Sequence, residues 1–597
     1  MRLAIHLLGR PRVDRGGVAL VPPRGRKTWA LLALLVLGER PPSRERAAAL
    51  LFPEADDPLA ALRWTVADLR RALGGTATLG GDPLRLDLPP GTQVDLTAVV
   101  SPEGAATVPE GELLEGLSFP TSPVFEAWLG VMRRFLAGSA RALLHDEAVA
   151  RLAAGDLDTA SRLARRLVTR DALDQPAQEL YVRCLARSGR WREAESHVAE
   201  CEELLWRELG VRAGPELRLA AAEPVPTATS AVGDVEAALA QLAAGRAAVD
   251  AGAVDPGLAI LRQACAEAAA AGATAVEARA LAALGAALVH AVRGRDEEGA
   301  LRLQEALRLS ESAGDRGTAA VASRELGYID TQAGRSASAG RWLARATQVA
   351  EGDEQLCAVL GVRGMARSDA ADYGTALALL AESVDRAQRC DRPRQAAWSL
   401  SLIGRVHLLR RDLDPAMEAL DRSLALVAEQ RWTAFRPWPE ALRAEVALLA
   451  GRVEEAAAPL DRTFRLACRL EDPCWEAMSV RLAALLARHA GSPATARDQL
   501  ADALTRVTRS SDAYAWVQGL VLDSAAELAV ETAAPEAGGF VDRLAALAER
   551  CGFRELVVRA HLHRARLGDP AAADAAALLA DDIDNPALAA LLPSVVV

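Results

Sequence analysis

Between residues 3 and 21, apolar and polar positions alternate around a glycine pair, LAIHLLGRPRVDRGGVALV, which predicts short strands joined by a Gly16-Gly17 turn. The period then lengthens. PPRGRKTWALLALLVLGER reads as an apolar helix entered through Arg24, Arg26 and Lys27 and broken at Pro41-Pro42. Ser43 is placed to cap a short helix, RERAAALLF, and Asp56, Asp57 and Pro58 open a third, which contains LRWTVADLRRALG. At helical spacing Leu62, Val66, Leu69 and Leu73 fall within roughly 60° of one another, a narrow apolar seam. Arg63, Ala67, Arg70 and Arg71 occupy the adjacent face, with Trp64 at its edge, and Gly74-Gly75 ends the helix. ATLGGDPLRLDL then predicts a hairpin around Gly80-Gly81. Strands, three helices and a hairpin, in that order, are the layout of a winged helix, whose third helix enters the major groove and whose hairpin touches the backbone.

From about residue 124 the pattern is wholly helical. AGDLDTASRLARRLVTRD and SGRWREAESHVAECEELLWRELG have comparable turns at Gly155 and Gly189, and 189 − 155 = 34 is the period of a tetratricopeptide repeat. A Pro/Thr/Ala stretch, AEPVPTATSAVG, predicts a linker at 223–233. Beyond it the turns before each second helix fall at Gly294, Gly334, Ala371, Arg411, Gly451 and Gly491, at intervals of 40, 37, 40, 40 and 40 residues, with a looser unit around Gly252. Each unit is a helical hairpin that cannot bury its apolar face alone, so the units stack. The expected fold is mainly α: a winged helix (α+β) over 1–98, helical repeats over 99–222, and a tetratricopeptide-like array, an α-solenoid, over 234–590, with LLPSVVV as a frayed end.

Charge separates head from body. The formal net charge is -11, yet residues 1–100 hold 14 Lys+Arg and 10 Asp+Glu, giving +4, and the remainder carries -15. Any nucleic-acid contact is therefore expected in the head. Asp68 interrupts the cationic face of the third helix. On the helical wheel it lies at the margin of that face, where it either reads a cytosine or positions Arg71, or repels phosphate; repulsion is the favoured expectation. The eight cysteines form no CxxC pair, which suggests neither a zinc site nor a disulfide framework and fits buried thiols in a reducing cytoplasm. The opening segment lacks a secretory pattern, and TWALLALLVLG is too short to span a bilayer, so no membrane association is expected.

Catalytic patterns are missing. Lys27 in RGRKT lacks the glycine of GK[ST], and HExxH, GxSxG and a strand-borne GxGxxG do not occur. No catalytic residue, metal ligand or cofactor is expected. His561 and His563, two apart, are expected as ordinary surface or groove residues; Trp128, Trp191 and Trp206 as core or interface filler; and RDEEG at 295–299 as a solvated turn.

Three stretches together resemble the SARP family of bacterial transcriptional activators, which join an OmpR-like winged helix to a bacterial transcriptional activator domain. They are LLGRPRVDRGGVALV through LRWTVADLRRALG, then VFEAWLGVMRRFL, then DQPAQELYVRCLARSGRWREAESHVAECEELLWRELGVRAGPEL. They cover about a third of the chain. The resemblance implies double-stranded promoter DNA as ligand, RNA polymerase as partner and often a homodimer. It places recognition positions at Arg63, Trp64, Ala67, Arg70 and Arg71 and phosphate contacts at Arg24, Arg26, Lys27 and Arg44, with Arg85 the cation of the wing. The chain departs from the family at Asp68, where a basic residue is usual, and at Pro83-Leu84, where the wing normally carries Gly-Tyr. The repeat array is expected to bind a protein or peptide. The alternative is a cytoplasmic interaction scaffold whose winged helix no longer binds DNA.

Overall fold

The alternating segment forms β1 (Leu3–His6), β2 (Arg12–Arg15) and β3 (Val18–Ala19), paired antiparallel in that order, with Gly16 and Gly17 at positive φ in the second turn. Leu3, Ile5 and Val13 point into the core. Three helices follow: α1 (Arg26–Leu37), α2 (Arg44–Leu51) and α3 (Pro58–Ala72). The hairpin β4 (Thr78–Gly80) and β5 (Arg85–Asp87) comes next. β6 (Gln93–Val94) then pairs parallel with β1, giving a four-stranded sheet ordered β3-β2-β1-β6, and leads into α4 (Asp95–Val100). The Asp95 carboxylate accepts the N–H groups of Leu7 and Leu8, which fastens the end of this layer to β1. Two residues are too few for a periodicity to declare, and β6 has no signal in the sequence.

The structure, a computed structural model, describes residues 2–38, 40–75, 77–100, 111–209, 213–222, 233–510 and 512–592. The expected linker, apart from Gly233, lies outside these residues, as do Gly210 and Val211 of the ELGV stretch and residues 593–597. The chain packs as two units, Met1–Ala140 with Ala529–Val597, and Arg141–Leu528. The expected boundaries at 98/99 and 222/234 fall within these units.

α5 (Pro123–Ala153) contributes to both units, and α6 (Leu157–Arg170), α7 (Gln175–Arg187), α8 (Trp191–Leu209) and α9 (Glu216–Ala221) follow it. Trp128 is buried and stacks on Phe125 at 5.4 Å between centroids. Trp191 and Trp206 are not core filler: they are 39% and 59% exposed, because the buried stripe of α8 is Ala194, Val198, Cys201 and Leu205.

From Val235 the chain is a succession of helical hairpins, tetratricopeptide-like in length and pairing. All six turn positions that set the register, residues 294, 334, 371, 411, 451 and 491, have left-handed φ, between 58° and 77°. That conformation ends a helix by turning its last carbonyls onto the following N–H groups. Packing repeats too. A Cβ placed on Gly245, Gly285, Gly327, Gly364 or Gly404 of a first helix would meet Leu261, Leu303, Leu343, Leu380 or Leu420 of the second at 2.8 Å or less. Glycine at this point lets the paired helices approach, and the leucine fills the space. Among the described residues one helix, Thr274–Ala291, is long and apolar enough to cross a membrane, but 56% of it is buried and its Leu284 and Leu288 share a cluster with Leu258 and Leu261 of the preceding hairpin. His561 and His563, expected as surface or groove residues, are not at the surface: each is 5% exposed, and the helix Arg554–Arg566 is covered on several sides.

Candidate nucleic-acid interface

α3 begins where Asp57 caps it, its carboxylate accepting the Ala60 N–H at 2.8 Å, with Pro58 in the first turn where its missing N–H costs nothing. It ends at Leu73, followed by Gly74 and Gly75 at positive φ, and the Arg15 guanidinium donates to the Leu73 and Gly74 carbonyls at 3.2 Å. Leu62, Val66, Leu69 and Leu73 are each at most 3% exposed, so the apolar seam docks completely. Orientation of the opposite face follows from that.

Arg63, Trp64 and Ala67 stand in solvent, Trp64 at 79% exposure. Arg63 pairs with Asp57 at 3.6 Å, both side chains more than 60% exposed; such a surface pair contributes little and leaves the guanidinium available. Arg71 is also exposed and pairs with Asp68.

Asp68 is engaged through both carboxylate oxygens. Its side chain is 16% exposed. One oxygen accepts the Arg24 backbone N–H and the Thr28 hydroxyl, each at 2.9 Å, and the other accepts from Arg71. Partial burial pushes the carboxyl upward, but the hydrogen bonds from Thr28, Arg71 and the Arg24 N–H hold it below the usual carboxylate value. A carboxylate so engaged stays ionised and holds Arg71, the positioning that the sequence offered beside repulsion. It ties the entry of α1 to α3 and fixes one arginine of the exposed face.

The remaining cations divide. Arg24 and Arg26 are exposed at the entry of α1, and Arg85 is exposed on β5 opposite Gly80. Arg70 donates through Nε to the Leu79 carbonyl at 2.8 Å, and Arg44 donates to the Gly81 carbonyl at 2.9 Å while Asp82 accepts the Arg44 N–H. Both arginines hold the β4–β5 hairpin against the helices. Lys27 lies 4.6 Å over the Phe52 ring; burial, with Arg26 nearby, lowers its pKa. The face the structure assembles is thus Arg63, Trp64, Ala67 and Arg71, with Arg24 joined to it through Asp68.

A second charged constellation, within Arg141–Leu528, was not anticipated. RDEEG is no solvated turn: Asp296, Glu297 and Glu298 are 7–8% exposed. Glu297 receives His145 of α5 at 2.8 Å, Asp146 pairs with Arg341 at 3.1 Å, and Arg187 of α7 donates to Glu305 at 3.0 Å. Arg335 bridges Asp330 at 2.6 Å and Glu297 at 3.8 Å. Burial opposes charge on His145, but the Glu297 carboxylate, with Asp146, outweighs it and raises the ring to about 9. Activator-stretch helices and the first repeats are therefore joined by paired buried ions. The charged HDE within the apolar flanks of ALLHDEAVA and the two arginines of YVRCLAR were the available signals, since buried charges require partners. Among the described residues no group of three or more His, Cys, Asp or Glu could hold a metal ion.

Residues 97–223 match the family model of the bacterial transcriptional activator domain. That stretch belongs to the domain family carried by SARP-type activators, and through it the chain is similar to that class of transcriptional regulator. No curated protein matches the chain. Among solved structures, Mycobacterium tuberculosis EmbR in complex with a low affinity phosphopeptide is 21% identical, with 37% of this chain and 64% of that chain covered and a TM-score of 0.32. A Rap protein complexed with competence and sporulation factor is 12% identical over 58% of this chain and 87% of its own, TM-score 0.40. Aspartyl phosphate phosphatase F from Bacillus subtilis is 12% identical over 68% and 93%, TM-score 0.36.

Proposed function

We propose that the chain is a DNA-binding transcriptional regulator, acting as an activator, that places α3 in the major groove of promoter DNA. The carrying observation is the exposed face of Arg63, Trp64, Ala67 and Arg71 opposite a fully buried seam, in a head followed by an activator-domain stretch. In this reading Arg63 and Arg71 meet guanine edges, Ala67 and Trp64 meet apolar groove atoms such as thymine methyls, and Arg24, Arg26 and Arg85 meet phosphates. Arg44, Arg70 and Lys27 add positive potential while holding the framework. The head is 1–98, the activator domain 99–222, the linker 223–233 and the repeat array 234–590. The repeats serve dimerisation, signal input or a protein or peptide partner. RNA polymerase is the target of activation, and the work is done in the cytoplasm without catalysis. The alternative, an interaction scaffold whose winged helix no longer binds DNA, leans on the weak wing and on Asp68; the engagement of that carboxylate by Arg24, Thr28 and Arg71 speaks against the second of these.

The test is fluorescence anisotropy of the full chain on duplex fragments from upstream of its own coding region, at several salt concentrations. Binding that weakens steeply with salt, by about 0.9 log units per log unit of salt for each phosphate contacted, is the expected result. Absence of binding to every fragment, or binding indifferent to salt, would defeat the reading.

A further inference from the structure

The first helix of a helix-turn-helix crosses the DNA backbone while the second enters the groove. Here that first helix is α2, and its cations were only partly assigned: Arg44 holds the hairpin turn, but Arg46, and Arg40 just before the helix, had no role. Both face anions of the chain itself. Arg46 donates to the Leu578 carbonyl at 2.9 Å and pairs with Asp581, and Arg40 stands 3.9 Å from Asp582. These acids belong to the turn after the helix Pro570–Ala580, in the run DDID at 581–584. All of these residues lie in the unit Met1–Ala140 with Ala529–Val597.

What brings the turn there does not depend on the acids. The helix Ala537–Cys551 packs on α5 so closely that a Cβ on Gly138 would lie 2.5 Å from the Arg550 carbonyl oxygen. Glu549, 1% exposed, accepts from Arg134 of α5 at 2.9 Å. The acidic turn is thus tethered beside α2, and tethering replaces a bimolecular encounter with a high effective concentration. A carboxylate on an arginine in such a place occupies the position a phosphate oxygen would take, since both present oxygen acceptors to the same donor fork.

We propose that Arg40 and Arg46 form a phosphate-binding site of the DNA face, filled in the free chain by Asp581, Asp582 and the Leu578 carbonyl, which the DNA backbone displaces. The inference rests on the DNA-binding reading above and deepens it: the C-terminal turn is an internal competitor for the interface. Because displacement opposes binding, affinity of the full chain is held below what the head's cations permit. Whatever loosens the helices 537–580 from α5 raises it.

The experiment is a four-chain cycle on the full protein: wild type, Asp581→Asn/Asp582→Asn, Arg40→Gln/Arg46→Gln, and the combination. Each is titrated with one promoter duplex and one random duplex of equal length. The asparagine pair should bind both duplexes several-fold more tightly than wild type. That gain should vanish in the glutamine background, which excludes a general effect of removing negative charge. On the asparagine background, the glutamine changes should lower the salt slope by about 1.8, or 0.9 for each of two phosphates. A gain that persists without the arginines, or no gain at all in chains that bind DNA, overturns the site. Binding by all four chains with the expected cycle but no promoter preference leaves the site standing and defeats sequence-specific regulation. Binding by none defeats both.

Discussion

At Asp68 a single carboxylate joins Arg24, Thr28 and Arg71. Replacing it by alanine removes three hydrogen bonds, of which those to a charged group are each typically the stronger kind. The head should lose about 1–3 kcal/mol, read by urea unfolding. DNA affinity should fall more on the specific site than on random duplex, because Arg71 is no longer held for its guanine edge. Stronger binding on loss of the negative charge would restore the repulsion account. Since the carboxyl is held below its ordinary value, its contribution is present above pH about 4 and is lost as acid protonates the folded form. Arg63→Ala should change binding in the same way without the loss of stability, costing about 1–3 kcal/mol on the best site and little on random DNA if the arginine reads a guanine. His145 has the opposite sign to Asp68. Its ring is raised to about 9 in the fold, so its pairing with Glu297 and Asp146 stabilises fully below the unfolded value of about 6.5 and is lost as pH rises through 9. Thermal unfolding between pH 7 and 10 should show the chain weakening, and His145→Gln should flatten that dependence. A slope unchanged by the substitution would assign it elsewhere.

At the scale of the element, the hairpin pairing turns on glycine meeting leucine. Alanine ordinarily stabilises a helix interior relative to glycine by about 0.5–1 kcal/mol. At Gly404 the sign should reverse, because the new Cβ would stand 2.5 Å from the side chain of Leu420, which is fully buried. Gly404→Ala should destabilise the array by about 1–3 kcal/mol, measured by denaturant unfolding. Equal or greater stability would mean that the leucine can move aside. The same elements show what periodicity reveals. Residues 294 to 491 declare the repeats because each turn requires a left-handed residue, and where glycine is absent, as at Ala371 and Arg411, the spacing alone carries the register. The seam of α3 was legible for a similar reason: one face is buried whole, so four leucine and valine positions define it. Which exposed arginines stay free was not legible. Arg70 and Arg71 are neighbours, yet one meets the Leu79 carbonyl and the other Asp68, and that depends on where a hairpin and another helix happen to arrive. RDEEG failed for the same reason, since its partners His145 and Arg335 come from other helices.

On the scale of the whole molecule, residues far apart in the sequence complete one packing unit, and Arg134 is a test of it. Its removal leaves Glu549 buried without its partner, so Arg134→Met should cost about 1–3 kcal/mol, less than a fully enclosed pair because Arg134 is half exposed. Limited proteolysis should then cut sooner within the helices after Ala529, while an unchanged pattern would show that backbone packing at Gly138 suffices. The charge split set a basic head against an acidic body; it did not anticipate that the chain's own C-terminal helices would pack with that head, because composition says nothing of contacts across hundreds of residues. This arrangement also has a history in time. Residues 141–528, 388 residues, separate the two parts of the unit, and at translation rates of about 5–20 residues per second they take roughly 20–80 s to synthesise. For that interval a nascent chain carries a head whose Arg40 and Arg46 lack their partners at 578–582, so under the proposed function the newborn protein would meet nucleic acid on terms different from those of the finished one.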